Sequence, residues 1–205
     1  MKNVARNIKI FVSQIRNQSI AGTLLLFIKS LFKKERISIY AKELEAENGA
    51  KLYSGVDSFI GKGNLDEIEQ ARKSIQPSTW EFCCDLYDGV KDFFVYKKNG
   101  TIGHISWIYY KNDPNRILDL GTDEGEIKYS LTLPQFRGKG IYPATLLRIQ
   151  QYLKEKGYKR VFICVKEDNL PSVKGIEKAG FKFVTGIDLI KIAGIQLSKR
   201  YAAGH

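Results

Sequence analysis

Cysteine and histidine are both scarce in this chain of 205 residues, which limits the disulfides and metal sites that could stabilise its fold. Cys83, Cys84 and Cys164 are an odd number of cysteines without the spacing of metal ligands. They indicate reduced thiols in a cytoplasmic protein rather than a disulfide framework. His104 and His205 are the only histidines, which excludes a His-rich metal site, so we expect no metal.

A long apolar segment is also lacking. The uninterrupted run from Leu24 to Ile28 is far shorter than the roughly 20 residues that span a bilayer. No small-residue cleavage site follows it, as a signal peptide requires. Apolar residues still make up 43% of the sequence, which is enough for the core of one domain.

Positive charge is concentrated at the N-terminus. The formal net charge is +11, and residues 1–36 carry eight Lys/Arg against one acid, or +7, which leaves +4 for the rest. Apolar residues recur among these charges at helical spacing, which predicts helix from Asn3 to Phe32, either one helix or two with a break near Ser19 to Gly22. We therefore divide the chain into a basic amphipathic extension, residues 1–35, and a folded domain, residues 36–205.

Two interpretations of this extension stay open. The helix packs on its own domain or on a second subunit, as in a homodimer, or it lies on an anionic membrane surface. The second interpretation predicts a cytoplasmic protein held peripherally at the inner membrane face. Nucleic acid is not an expected partner, because no recognisable reader motif accompanies the basic residues.

The rest of the chain predicts an α+β fold on a mixed sheet. Asn99-Gly100, the preferred pair for a tight turn, lies between two strand-like runs and predicts an antiparallel hairpin. Other predicted strands are Arg36–Tyr40, Glu126–Leu133, Arg160–Val165, one that begins at Phe181, and one or two between Ile187 and Tyr201. The predicted helices are Leu65–Ile75, Trp80–Tyr87, Ala144–Lys156 and Ser172–Ala179.

A basic glycine pair separates a predicted strand from a predicted helix. Gly138 and Gly140 let the backbone bend and approach a ligand, while Arg137 and Lys139 add positive charge. The helix that follows offers unpaired backbone N–H groups and the positive end of its dipole, and Pro143 is tolerated in its first turn. The pattern predicts an anion-binding nest suited to a phosphate or pyrophosphate. A simple basic turn is the alternative.

The segment "LTLPQFRGKGIY" resembles the acyl-CoA-binding motif Q/R-x-x-G-x-G/A of the GNAT superfamily, the GCN5-related N-acetyltransferases. We align Arg137–Gly140 with its first part, which puts Tyr142 where the family usually has Gly or Ala. The hairpin with Gly103 resembles the "dGxxxGxxxW" hairpin of that family. "NLPSVKGIEKAGFKFV" resembles N-x-x-[AS]-xxxx-[EK]-K-x-G-F, with matches at Asn169, Ser172, Lys178, Gly180 and Phe181. The resemblance covers roughly residues 93–184.

This resemblance implies a GNAT-type sheet, mostly antiparallel and flanked by helices, and acetyl-CoA or another acyl-CoA as co-substrate. Leu131 and Leu133 would offer backbone groups to the pantetheine arm. Asn169 and Ser172 would lie near its thiol end, although Asn169 is equally suited to cap a helix. The residues expected to hold the pyrophosphate are Arg137, Gly138, Lys139, Gly140, Ile141 and Tyr142.

N-acyl transfer needs a base for the amine, a polarised thioester carbonyl and an acid for the leaving thiolate. Glu126, at the start of the binding strand, is our candidate base; the alternative is an exposed charge at a strand end. His104 is a further catalytic candidate, with a structural role as its alternative. Ile176 stands where many family members have the acidic tyrosine. Ser172 is therefore our first candidate for this acid, and Tyr142 and Tyr129 are further candidates.

Three functions follow from the resemblance. The first is transfer of an acetyl group from acetyl-CoA to a primary amine on a small or lipid-linked acceptor, such as an amino sugar or amino acid. The aromatic and acidic residues between Leu65 and Asp88 would form much of its acceptor pocket. The second is a long-chain N-acyltransferase that uses acyl-CoA or acyl-carrier protein. The third is a non-catalytic module that binds CoA or a membrane.

Overall fold

The computed structural model describes residues 32–44, 59–74, 79–192 and 195–201. The predicted helix over residues 3–32 lies outside these ranges except for Phe32, which begins a strand. The described residues fall into two compact units, one within residues 38–185 and one of residues 32–37 with those described between 186 and 201. No helix within the described ranges is long and apolar enough to cross a membrane.

Four α-helices and eight strands follow one another along the described chain. The helices are α1 (Leu65–Ser74), α2 (Cys84–Asp88), α3 (Ile141–Glu155) and α4 (Leu170–Lys178). The strands are β1 (Phe32–Glu43), β2 (Ile60–Lys62), β3 (Phe93–Lys98), β4 (Thr101–Tyr109), β5 (Glu124–Thr132), β6 (Arg160–Lys166), β7 (Lys182–Ile192) and β8 (Ile195–Tyr201).

The strands of the larger unit lie in the order β2-β3-β4-β5-β6-β1-β7. The pairs β2/β3, β3/β4 and β4/β5 are antiparallel, and β5/β6 is parallel. This arrangement confirms the predicted α+β fold on a mixed, mostly antiparallel sheet. In the smaller unit, the second part of β7 pairs antiparallel with β8, from Ile187↔Tyr201 to Ile192↔Ile195.

Helices cover both faces of the sheet in the larger unit. Side chains of β4 alternate between the two faces, as in any strand. Ile108 packs with α3 and α4 residues such as Ile149 and Ile176. Trp107 and Tyr109 pack on the other face, with residues of α1 and the segment before α2. The α3/α4 face and the α1/α2 face therefore present different chemistry on the two sides of β4 and β5.

Local turn signals were the most accurate part of the sequence prediction. Asn99 and Gly100 both have positive φ, 50° and 75°, and join β3 to β4 as the predicted hairpin. Gly89 ends α2 at φ 70° and Gly157 follows α3 at φ 83°, as expected of glycines at helix ends. All three cysteines are free thiols.

The predicted secondary structure needs correction in two places. The helix predicted over Trp80–Tyr87 is wrong: a 3-10 turn at Trp80–Phe82 precedes the separate helix α2, with the break at Cys83. The short edge strand β2 was not predicted, because three residues are too few to show a period in sequence.

A β-bulge interrupts β5 where it pairs with β4. The register passes from Ile105↔Leu131 to Trp107↔Lys128, so β5 contains one extra residue. Tyr129 has the positive φ of 47° that is typical of such a bulge. Because the extra residue resets the alternation, Lys128 and Tyr129 both face α1/α2, while Ser130 faces α3/α4.

Candidate active site

The loop between β5 and α3 has the geometry of an anion site. Gly138 and Gly140 have φ of 77° and 71°, a region that favours glycine, and Gly140 is the N-cap of α3. In the described part of the chain, the backbone N–H groups of Gly138, Lys139, Gly140 and Ile141 donate to no acceptor. These donors surround the positive end of the α3 dipole, which is where a phosphate binds best.

Three contacts hold this loop in place. Arg137 donates through Nε to the Thr132 carbonyl at 3.0 Å, and Lys139 Nζ donates to the Gln135 carbonyl at 3.0 Å. A Cβ on Gly103 would stand 2.7 Å from the Phe136 ring, so only glycine lets this ring pack on β4. The two cations are therefore fixed beside the unpaired N–H groups.

The positive-φ glycines also place the motif more accurately than our alignment did. The pattern Q/R-x-x-G-x-G/A fits in full when it begins at Gln135, with its two glycines at Gly138 and Gly140. In that alignment Tyr142 is not a departure from the family. Our reading of the sequence missed Gln135, although its spacing from the two glycines was visible.

Beyond this loop, one side of β5 is open. The parallel pairing of β5 with β6 ends at Ile127↔Ile163, although β5 continues to Thr132 and β6 to Lys166. Within the described residues, the second half of β5 thus has a neighbouring strand on its β4 side alone. An extended chain such as the pantetheine arm can hydrogen-bond along such an edge.

The direction of the β5 backbone corrects one of our expectations. The Leu133 N–H donates to the Gly103 carbonyl at 2.9 Å, so it is not available to pantetheine. Backbone groups alternate in direction along a strand, so those of Leu131 also point towards β4. The groups that face the open edge are those of Ser130 and Thr132.

Glu126 is fully buried on the α1/α2 face, which overturns the reading of an exposed strand-end charge. Its Oε2 accepts hydrogen bonds from the backbone N–H groups of Ile117 at 3.2 Å and Leu118 at 3.5 Å. Oε1 accepts no hydrogen bond of ordinary geometry from the described residues, and the thiol of Cys164 on β6 interacts with this carboxylate. Burial raises the pKa of Glu126, although the cation of Lys128 opposes the shift.

Lys128 lies two residues further along the same face and was missed by our sequence reasoning. Only 9% of the residue is exposed. Its Nζ lies over the rings of Tyr109 and Tyr129, 4.9 and 5.0 Å from their centroids, and donates to the Asn115 carbonyl. Burial lowers the pKa of Lys128, and the charge of Glu126 limits the change. The sequence signal for the pair of Glu126 and Lys128 was the spacing of two residues between opposite charges on one strand.

Aromatic side chains line the approach to this face. Trp80 and Tyr87 stack in parallel, with 4.3 Å between ring centroids, and they are 46% and 60% exposed. The edge of Trp80 meets Tyr129 of the bulge, at 6.2 Å between centroids. Asp88 accepts hydrogen bonds from Tyr109 and Asn115, each at 2.6 Å, which ties this region to the loop after β4.

His104 lies on the opposite face of the sheet from Glu126, so the structure does not bring these two candidates together. It is fully buried, with Nδ1 2.7 Å from Thr132 Oγ1 and Nε2 2.8 Å from Ser106 Oγ. Burial lowers the pKa of His104 to about 3, so the imidazole is neutral. Both ring nitrogens are occupied by hydrogen bonds, which is the environment of a structural histidine.

The first turn of α4 holds the remaining candidates. The Asn169 side chain accepts from the Ser172 N–H at 3.4 Å, which is the capping role we considered for it. Ser172 is half-buried in that turn, and Ile176 is fully buried in the core. No cluster of three or more His, Cys, Asp or Glu residues suited to a metal ion occurs among the residues that the structure describes.

Comparison with known proteins agrees with this geometry. The sequence pattern of the Acetyltransferase (GNAT) domain matches residues 54–182. The chain therefore belongs to the GNAT acetyltransferase family. No curated protein matches the chain.

Solved structures of the same family share the fold. A GNAT-family acetyltransferase from Colwellia psychrerythraea superposes with a TM-score of 0.55 at 13% identity, over 82% of this chain and 57% of that one. A GCN5-related N-acetyltransferase from Sphaerobacter thermophilus gives a TM-score of 0.52 at 15% identity, over 88% and 56%. The chain thus spans little more than half the length of either structure.

Proposed function

We propose that the protein transfers an acetyl group from acetyl-CoA to a primary amine on a small or lipid-linked acceptor. The observation that carries this proposal is the continuity of the phosphate loop with the open edge of β5. Unpaired N–H groups at Gly138–Ile141 suit the pyrophosphate of CoA, and the β5 edge that leads away from them suits its pantetheine arm.

Glu126 is the group best suited to take the proton from the acceptor amine. Its raised pKa makes the carboxylate a stronger base than an ordinary glutamate. Apart from the weak donor of the Cys164 thiol, its Oε1 has no hydrogen-bond partner among the described residues, and a buried carboxylate oxygen normally has one. The acceptor amine, or a water that carries its proton, would supply that donor.

The open edge of β5 supplies the second requirement of the reaction. Attack of the amine turns the thioester carbonyl into an oxyanion, which backbone N–H groups stabilise when they are held in place beforehand. Ser130 follows the bulge at Tyr129, where the strand direction changes and the backbone faces the open edge. We assign the stabilising donors to Ser130 and Thr132.

The α1/α2 face supports an amine joined to a ring or a hydrocarbon body. Exposed aromatic faces of Trp80 and Tyr87 attract both apolar groups and ammonium ions. Glu81 and Asp88 give this segment negative charge within a basic chain, while Asp85 is neutralised by its ion pair with Arg72. An amino sugar or an amino acid amine fits this combination.

A screen of acceptors tests the proposal. Purified protein with acetyl-CoA is offered glucosamine, other amino sugars, amino acids and an amine-bearing lipid, and released CoA thiol is measured. We expect release that depends on one class of amine and disappears in Glu126→Gln. A parallel series of acyl chain lengths tests the long-chain alternative. Release with long-chain acyl-CoA but not with acetyl-CoA would replace our proposal by that alternative.

A further inference from the structure

The reaction proposed above lacks a proton donor for the departing thiolate. The family position for such a donor holds Ile176, whose buried side chain carries no exchangeable proton. Ser172, our first substitute, is in the capped turn of α4. The α3/α4 face, however, contains a set of polar side chains that nothing in the reaction has so far used.

These side chains form one continuous chain of hydrogen bonds beneath β5. Thr132 Oγ1 lies 2.7 Å from Nδ1 of His104, and Nε2 of His104 lies 2.8 Å from Ser106 Oγ. Ser106 Oγ lies 2.7 Å from Ser130 Oγ. The Ser130 side chain in turn lies close enough to the Tyr142 phenol to interact with it. Five groups thus connect the end of β5 with the first turn of α3.

The protons can be ordered in either direction along this chain, and one of the two directions leaves a proton unused at Tyr142. Each group carries a single proton on its polar side-chain atoms, because the imidazole is neutral. If the Thr132 hydroxyl donates to Nδ1 of His104, each following group donates to the next. Ser130 then donates to the phenol oxygen of Tyr142, and the proton of Tyr142 itself remains available.

The position of Tyr142 depends on a glycine in α4. The ring lies where a side chain on residue 175 would stand, since a Cβ on Gly175 would be 2.6 Å from Tyr142 Cδ1. Tyr142 also meets the His104 ring, with 5.7 Å between centroids. Gly175 immediately precedes Ile176. Helix α4 therefore has no side chain at residue 175 and no proton donor at residue 176.

We propose that Tyr142 donates the proton that the sulfur of CoA needs as it leaves, and that His104, Ser106 and Ser130 are positioning residues that aim this proton at the sulfur. The inference rests on the proposed function, because it names the proton donor of that same reaction. It also gives a role to His104, whose two ring nitrogens are both taken up by hydrogen bonds to neighbouring side chains.

The step is balanced in atoms and charge. The C–S bond of the thioester breaks after the acceptor nitrogen has bonded to the carbonyl carbon, and Glu126 holds the amine proton. The electron pair of the C–S bond goes to sulfur, which takes the phenol proton of Tyr142. Burial raises the pKa of Tyr142, so the phenol keeps its proton until the sulfur takes it, and the interaction with Ser130 opposes this shift by stabilising the resulting phenolate. The phenolate regains a proton from water when CoA leaves.

Binding of CoA and of desulfo-CoA, which lacks the thiol, tests the contact without any acceptor. We expect the wild-type protein to bind CoA about fivefold more tightly than desulfo-CoA, the effect of one net hydrogen bond. Tyr142→Phe should bind the two equally. Tyr158→Phe, which removes a half-buried phenol elsewhere, is the matched control and should keep the preference.

Acetyl transfer to the amine found in the screen tests catalysis and positioning. Tyr142→Phe should lower kcat about 100-fold, the usual effect of losing a general acid, with little change in KM for acetyl-CoA. Ser130→Ala should lower kcat less, and Ser130→Thr, which retains a hydroxyl, should restore it. A purely structural role for Ser130 would give no such rescue.

The outcomes separate the inference from the function on which it rests. Tyr142→Phe that keeps both the preference for CoA and the wild-type kcat would overturn the inference and leave the proposed function intact. A wild-type protein that binds neither CoA nor desulfo-CoA would overturn the proposed function itself. If Tyr142→Phe fails to fold, Ser130→Ala with an unchanged kcat overturns the positioning chain.

Discussion

Gly175 of α4 makes room for the ring of Tyr142 of α3: a Cβ at residue 175 would stand 2.6 Å from Tyr142 Cδ1. This contact joins the helix that begins at the phosphate loop to the helix that carries the second family motif. Because the ring of Tyr142 packs against Gly175 and His104, a substitution at any of these three residues should disturb the packing of the other two.

The first prediction concerns this contact. Gly175→Ala forces the ring of Tyr142 to move, and overpacking of this kind costs about 1–3 kcal/mol of unfolding free energy. We expect a lower unfolding temperature and a weaker preference for CoA over desulfo-CoA. Gly61→Ala is the control, because nothing lies within 4 Å of a Cβ at residue 61. Equal stability of the two variants would show that the ring is not held against α4.

The second prediction concerns the phosphate loop. Gly140→Asp places a carboxylate at the N-cap of α3, where the pyrophosphate would lie, and should abolish acetyl-CoA binding in calorimetry. Gly157→Asp is the matched control at the other end of the same helix, since both glycines have positive φ, 71° and 83°. Both variants should be strained in the backbone, but Gly157→Asp should still bind. Wild-type affinity in Gly140→Asp would remove the loop from the CoA site.

The third prediction concerns the base. Glu126→Gln keeps the acceptor for the N–H groups of Ile117 and Leu118 but cannot take a proton. We expect kcat/KM to fall about 10²–10⁴-fold, with acetyl-CoA affinity unchanged. The exposed Glu155 provides a control, and Glu155→Gln should transfer at the wild-type rate. A fully active Glu126→Gln would show that Glu126 is not the base and only binds the loop that contains Ile117 and Leu118.

The fourth prediction follows from the raised pKa of Glu126. A carboxyl group whose pKa is higher in the folded state stabilises the fold below its unfolded pKa, and this contribution is lost as the pH rises through the folded pKa. Glu126→Gln avoids that loss. At neutral pH it should therefore unfold a few degrees above wild type, and the difference should shrink towards about pH 4, near the usual glutamate pKa.

Thermal unfolding over a series of pH values measures this effect. Glu69→Gln, which changes an exposed carboxylate on α1, should show no such trend. A stability difference between Glu126→Gln and wild type that grows as the pH falls would contradict the raised pKa.

The fifth prediction concerns the membrane, and it rests on sequence alone, because residues 1–31 lie outside the described ranges. This segment contains five Lys/Arg and no acid. Because β1 begins at Phe32, deletion should stop at residue 31. We expect the full-length protein to bind vesicles with anionic lipid and the shortened protein to remain in solution, with equal affinity for acetyl-CoA.

Control vesicles of neutral lipid should bind neither form. If the full-length protein ignores anionic vesicles at physiological salt, the helix serves to pack on protein and the proposed location at the inner membrane face is wrong.

Local signals explain what could be predicted from the sequence. The turn at Asn99-Gly100 and the loop with Gly138 and Gly140 depend on backbone preferences of the residues themselves, so they were visible without the fold. The central strand β6 was visible because it is apolar, and α3 because its apolar residues recur at helical spacing.

The rest depends on contacts between distant residues. Glu126 is buried because the loop with Ile117 and Leu118 folds over it, which a strand-end position does not reveal. The polar chain from His104 to Tyr142 exists because the bulge at Tyr129 turns Ser130 to the α3/α4 face. A shift of one residue in the register of β5 would break these side-chain hydrogen bonds, and the register cannot be read from the sequence of one strand alone.

Calorimetric titration of the full-length protein with acetyl-CoA, followed by CoA and a long-chain acyl-CoA, tests the central claim most directly. We predict saturable binding of acetyl-CoA at one site per chain, and no binding to Gly140→Asp under the same conditions. Failure of all three ligands to bind the wild-type protein would contradict the assignment of the glycine loop to the pyrophosphate of CoA.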